Sequence, residues 1–109
     1  MAIKKEAEAK ISQLQLVEQS VQALSIQKQQ LQAQLQEVES ALEELAKTEK
    51  AYRIIGNIMV ASSKDEIIKD LESRKETAEL RIKSIERQEN QLKEKAESMR
   101  TEIMEELKK

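Results

Sequence analysis

The sequence predicts an all-α-dominated fold: two long helices zipped into an antiparallel coiled coil and joined by a short β-hairpin. Three observations carry this. Charged residues make up 37% of the 109 residues and aromatics 1%, with no Pro and a single Gly, a composition that belongs to long helices rather than to a compact aromatic core. Apolar residues recur at alternating steps of three and four through both halves of the chain, the spacing of a coiled-coil seam. Between the halves, -AYRIIGNIMV- interrupts that pattern with β-branched residues around Gly56-Asn57.

The first helix is expected over about residues 3–50. Its seam runs Ile3, Ala7, Lys10, Leu14, Val17, Val21, Leu24, Lys28, Leu31, Leu35, Val38, Leu42, Leu45, Glu49 and Tyr52. At 1.5 Å per residue such a helix is about 70 Å long, and one apolar stripe of that length requires a partner helix. Lys10 and Lys28 fall on seam positions. A polar seam residue can fix register, and a long side chain can lift its charge out of the seam. The Gln-rich stretch -QKQQLQAQLQ- keeps the seam spacing and the high helix propensity of Gln.

The second helix is expected over about residues 63–108, opened by Ser63 and Glu66 as a capping box with Asp65 in the first turn. Its seam is Ile68, Leu71, Lys75, Ala78, Ile82, Ile85, Glu89, Leu92, Ala96, Met99 and Ile103. The two arms match in length, so a reversal between them pairs them throughout. Leu45 then lies beside Leu71, Leu14 and Val17 approach Met99 and Ile103, and Lys28 lies level with Glu89. Read as a tolerated seam polar residue, Lys28 is expected to accept replacement by Leu without loss of stability.

The hairpin is expected over about residues 52–61: Tyr52, Arg53, Ile54 and Ile55, a Gly56-Asn57 turn, then Ile58, Met59 and Val60. Gly at the first turn position fits a type II′ turn, while the reversed order Asn-Gly is the usual type I′ signal. Two strands alone are marginal and their edges are open. The insert is too apolar to stay wet and too small to bury itself, so hairpins from several chains are expected to pair.

Helix, -AYRIIGNIMV- (51–60), and a second helix containing -ELRIKSIERQENQLKEK- (79–95) together resemble the beta class of prefoldin subunits, most closely the archaeal form. The resemblance covers essentially the whole chain, 1–109, as one domain. It implies a complex of two alpha-class and four beta-class subunits whose hairpins form an intersubunit β-barrel. It implies an ATP-independent cytoplasmic chaperone that holds unfolded proteins at the coil tips and passes them to a group II chaperonin. By position, Tyr52 to Ala61 become the assembly element, and the segments 2–16 and 96–107 the client-binding tip. The tip residues singled out are Ile3, Ala7, Ile11, Leu14, Leu16, Met99, Ile103, Met104 and Leu107; several lie off the strict seam, and Met suits adaptable surfaces. The alternative is a structural scaffold or tether oligomerised through its hairpin.

Other classes find little support. With no His and no Cys, the usual nucleophile–base pairs are absent, and no phosphate loop or metal-ligand spacing occurs. No enzyme activity and no cofactor are expected. Glu43-Glu44 and Glu105-Glu106 read as solvated helix face, with tip glutamates able to steer a chaperonin partner. The net charge of −2 with mixed signs gives no basic footprint for nucleic acid. No run approaches 18 apolar residues, so no membrane span is expected, and -MAIKKEAEAK- lacks the apolar run of a signal peptide.

Overall fold

The computed structural model describes residues 2–108, and side chains from residue 5 onward. The element order is α1 (Ala2–Lys47), β1 (Ala51–Ile55), β2 (Ile58–Ser62) and α2 (Lys64–Lys108). The side chain of Ile3 lies outside the described residues. The chain divides into two compact units: Met1–Gln29 with Lys83–Lys109, and Gln30–Ile82.

In the first unit, the ends of α1 and α2 pack as an antiparallel pair. Lys10 meets Glu106, Glu18 meets Arg100 at 2.9 Å, and Lys28 meets Glu89 at 2.8 Å. Positions that climb along α1 therefore descend along α2. Ala7, Ile85, Ala96, Met99 and Ile103 are buried, and Leu14, Val17, Val21, Leu24 and Leu92 are half-buried. With only two helices in the pair, the seam leucines Leu14, Leu24 and Leu92 keep an open flank.

In the second unit, Leu31, Leu35, Val38, Leu42 and Leu45 of α1 are half-buried, as are Ile68 and Leu71 of α2, while Ala78 and Ile82 are buried. Lys75 approaches Glu39 at 4.0 Å. The seam spacing thus predicts coverage correctly from Ala7 to Leu45 and from Ile68 to Ile103.

It fails at the end of α1. The helix stops at Lys47 instead of near residue 50, and Glu49 and Tyr52 are exposed outside it. Thr48 supplies the reason. Its amide reaches back to the Leu45 carbonyl at 3.4 Å and its hydroxyl donates to the Glu44 carbonyl at 3.3 Å. These bonds satisfy carbonyls that another helical turn would otherwise have used. At the start of α2, the Ile67 amide donates to the Ser63 carbonyl at 3.1 Å, which makes Ser63 the N-cap of a helix whose first residue is Lys64.

β1 and β2 pair antiparallel, with Ala51 opposite Ser62, Tyr52 opposite Ala61, Arg53 opposite Val60, Ile54 opposite Met59 and Ile55 opposite Ile58. Gly56 has φ +60°, and no other described residue has positive φ. A two-residue turn with positive φ only at its first position is type II′.

Candidate functional site

Two groups of side chains stand apart from the seam. The first is the hairpin. Tyr52, Ile54, Ile55, Ile58, Met59 and Val60 expose 41–73% of their surface. Gly56 and Asn57 form the exposed tip between them. The two-residue turn and the strand register put Tyr52, Ile54, Met59 and Ala61 on one face. Ala51, Arg53, Ile55, Ile58, Val60 and Ser62 lie on the other. Of the second set, Ala51 is buried and Arg53 and Ser62 are half-buried. Arg53 donates through Nη2 to Asp70 Oδ2 of α2 at 2.7 Å.

The second group is in the unit that holds both helix ends. Ile11 and Leu16 of α1 and Met104 and Leu107 of α2 are exposed. Met104 and Leu107 are three apart on α2 and therefore neighbours on its surface. The structure divides the sequence-predicted tip residues into two sets. Ala7, Met99 and Ile103 are buried in the seam and Leu14 is half-buried, so these hold the coil together. Ile11, Leu16, Met104 and Leu107 face water. Two further large apolar side chains, Ile26 and Leu80, are exposed. They stand off the seam series, which is the signal that could have singled them out.

Charge is organised along the seam rather than scattered. Glu89 is 3% exposed. Lys28 holds it at 2.8 Å and Lys93 flanks it at 4.0 Å. The hydrogen bond to Glu89 raises the Lys28 pKa, against the effect of burial, and the charges of Glu89 and Glu86 add to the rise. Lys10 is raised in the same way, first by its hydrogen bond to Glu106 and then, against burial, by the charges of Glu106, Glu102 and Glu6. Glu106 is half-buried and bonded to Lys10, so it belongs to the seam; Glu105 alone matches the solvated face expected of the pair. The outlook for Lys28→Leu changes too. With Glu89 buried, removing Lys28 alone strands a carboxylate, which is destabilising; replacing both partners is the neutral change.

No group of acidic, His or Cys residues among the described residues could hold a metal ion. No helix among them is long and apolar enough to cross a membrane.

The chain is similar to known prefoldin subunits. The family model described as prefoldin subunit matches residues 8–109. The prefoldin subunit beta of Archaeoglobus fulgidus is 43% identical over 88 residues, covering 78% of this chain and 76% of its own length. That of Methanosarcina acetivorans is 40% identical over 100 residues, covering 89% and 86%. The crystal structure of the prefoldin beta subunit from Thermococcus strain KS-1 superposes with a TM-score of 0.86 at 31% identity, covering 92% of this chain and 90% of that one.

Proposed function

Because this chain belongs to the prefoldin subunit family, we propose that it serves as the beta-class subunit of an ATP-independent cytoplasmic chaperone. The whole chain, 1–109, acts as one domain with two working surfaces. The hairpin from Tyr52 to Val60 joins hairpins of neighbouring subunits into a β-barrel, in a complex of two alpha-class and four beta-class chains. The exposed residues Ile11, Leu16, Met104 and Leu107 hold nonnative polypeptide, which passes to a group II chaperonin.

The observation that carries this reading is the hairpin. Six large apolar side chains within nine residues are exposed, five of them over more than half of their surface. Fully covering each contributes about 1.5–3 kcal/mol, and an uncovered patch of that kind marks an interaction surface. A tether that merely reversed direction would need only a polar turn. The relatives named as prefoldin subunit beta support the choice of beta class.

The test has two arms. Mixed with an alpha-class subunit, this chain should give one discrete hexamer by native mass measurement; a monomer or simple dimer in the mixture overturns the assembly. Leu16→Ser, Met104→Ser and Leu107→Ser combined should leave that hexamer and the helical melt intact while weakening suppression of client aggregation. Unchanged suppression rejects the tip assignment. Point changes suit this arm better than truncation, because removing residues 1–10 or 100–109 would also remove Ala7, Lys10, Ile103 and Glu106 from the seam.

A further inference from the structure

Arg53 is the one charged residue between Ala51 and Ser62. It sits on a hairpin that offers apolar side chains on both faces. Such a hairpin has no intrinsic preference for which face it presents to a neighbour. Arg53 breaks the symmetry. Its guanidinium donates to Asp70 on α2 at 2.7 Å, the one side-chain hydrogen bond among the described residues that ties the hairpin to a helix. Coverage is greatest at the helix-proximal end of the face that carries the bond. On the face of Arg53, Ala51 is buried, Ser62 is half-buried, and Val60, directly across from Arg53, is the least exposed of the large apolar side chains of the hairpin, while Ile55 and Ile58 beside the turn stay exposed. On the opposite face Tyr52, Ile54, Met59 and Ala61 are all exposed.

We propose that the Arg53–Asp70 bridge is a positioning strut. It fixes the hairpin against α2 so that the Tyr52–Ile54–Met59–Ala61 face is the one offered to the hairpin of a neighbouring subunit. This rests on the assembly reading above and adds to it the docking face and the residues that select it. The hairpin is joined to the helices by Thr48–Lys50 on one side and Ser63 on the other. Without the strut, two strands on such links rock, and ordering them opposes each association event. The strut restricts the hairpin before a neighbour arrives. Both partners are partly exposed, at 38% and 56% of their side-chain surface, so the bridge adds little to the stability of the chain itself. Its effect belongs in assembly.

The experiment uses the full chain with an alpha-class subunit, read by sedimentation over a concentration series. Arg53→Gln and Asp70→Asn should each weaken assembly by about three- to tenfold, the scale of one charge-assisted bond used for orientation. The helical melt of the chain alone should stay put. The exchanged pair, Arg53→Glu with Asp70→Arg, should recover most of the loss. Raised salt should narrow the gap between wild type and Arg53→Gln, because the bridge is exposed. Wild-type assembly by Arg53→Gln, or an exchanged pair no better than the single changes, overturns the strut. Ile54→Lys separates the two readings. If it blocks assembly while Arg53→Gln does not, the strut alone fails; if neither blocks assembly, the assembly reading fails with it.

Discussion

Ile54→Lys tests the hairpin most directly. Ile54 is 73% exposed in the single chain. Full burial of such a side chain contributes about 1.5–3 kcal/mol, so covering the exposed part contributes about 1–2 kcal/mol at each hairpin that docks. Lysine forfeits that term and places an ammonium in an apolar contact, which adds several kcal/mol. Together these exceed about 4 kcal/mol per hairpin, a weakening of roughly a thousandfold or more. The chain alone should scarcely notice, because a substitution at so exposed a position changes stability by only about 0.5 kcal/mol in either direction. Ile54→Val is the control: it removes one partly covered carbon, about 0.6 kcal/mol, and should assemble nearly as wild type. The assay is native mass or sedimentation of each variant with an alpha-class subunit, beside a circular-dichroism melt of the variant alone. A lysine variant that assembles at wild-type concentrations refutes the reasoning. So does a melt that falls in step with assembly, since Ile54 would then be holding the chain itself together.

Lys28→Leu should lower the melting temperature, and Lys28→Leu with Glu89→Leu should restore or raise it; a double variant less stable than wild type would show that the pair is a net source of stability. Gly56→Ala should destabilise the hairpin by about 1–2 kcal/mol through backbone conformation alone, because Gly56 has φ +60° and a Cβ there meets nothing within 4 Å; hydrogen exchange at the hairpin amides is the readout, and unchanged protection contradicts it. Lys10 and Lys28 should titrate above the ordinary lysine value of 10.5, as read from their side-chain carbon shifts. Their folded pKa values are raised, so the stability they contribute is fully present below that value and is lost as pH climbs through the folded pKa. Melting temperature should therefore fall on the alkaline side, and less steeply in Lys28→Gln; a titration at or below 10.5 contradicts the pairing.

Much of the fold was legible in the sequence because a seam is a repeated signal. Each of Ala7 to Leu45 and Ile68 to Ile103 along the series is covered, and the level of Lys28 with Glu89 followed from an antiparallel register alone. The failures share a cause. Spacing can run on past the point where the backbone changes, so Glu49 and Tyr52 continued a series that Thr48 had already ended. Glu105-Glu106 looked like one acidic pair, although the step of three from Ile103 puts Glu106 in the seam and leaves Glu105 outside. Arg53 and Asp70 stand 17 residues apart on different elements, with no local pattern to announce them. The candidate surfaces were legible in the same uneven way. The hairpin stood out as an interruption, but the tip residues divided only once burial was known: the seam series already contained Ala7, Leu14, Met99 and Ile103, and the off-seam Ile11, Leu16, Met104 and Leu107 are the exposed ones. Lys28 makes the same point about energetics. Its partner could be read from register, whereas the consequence of removing it depends on how deeply Glu89 is covered, and coverage is produced by the packing of two helices rather than by either sequence alone. A seam charge is tolerated only as one half of a pair, so its cost has to be assigned to the pair.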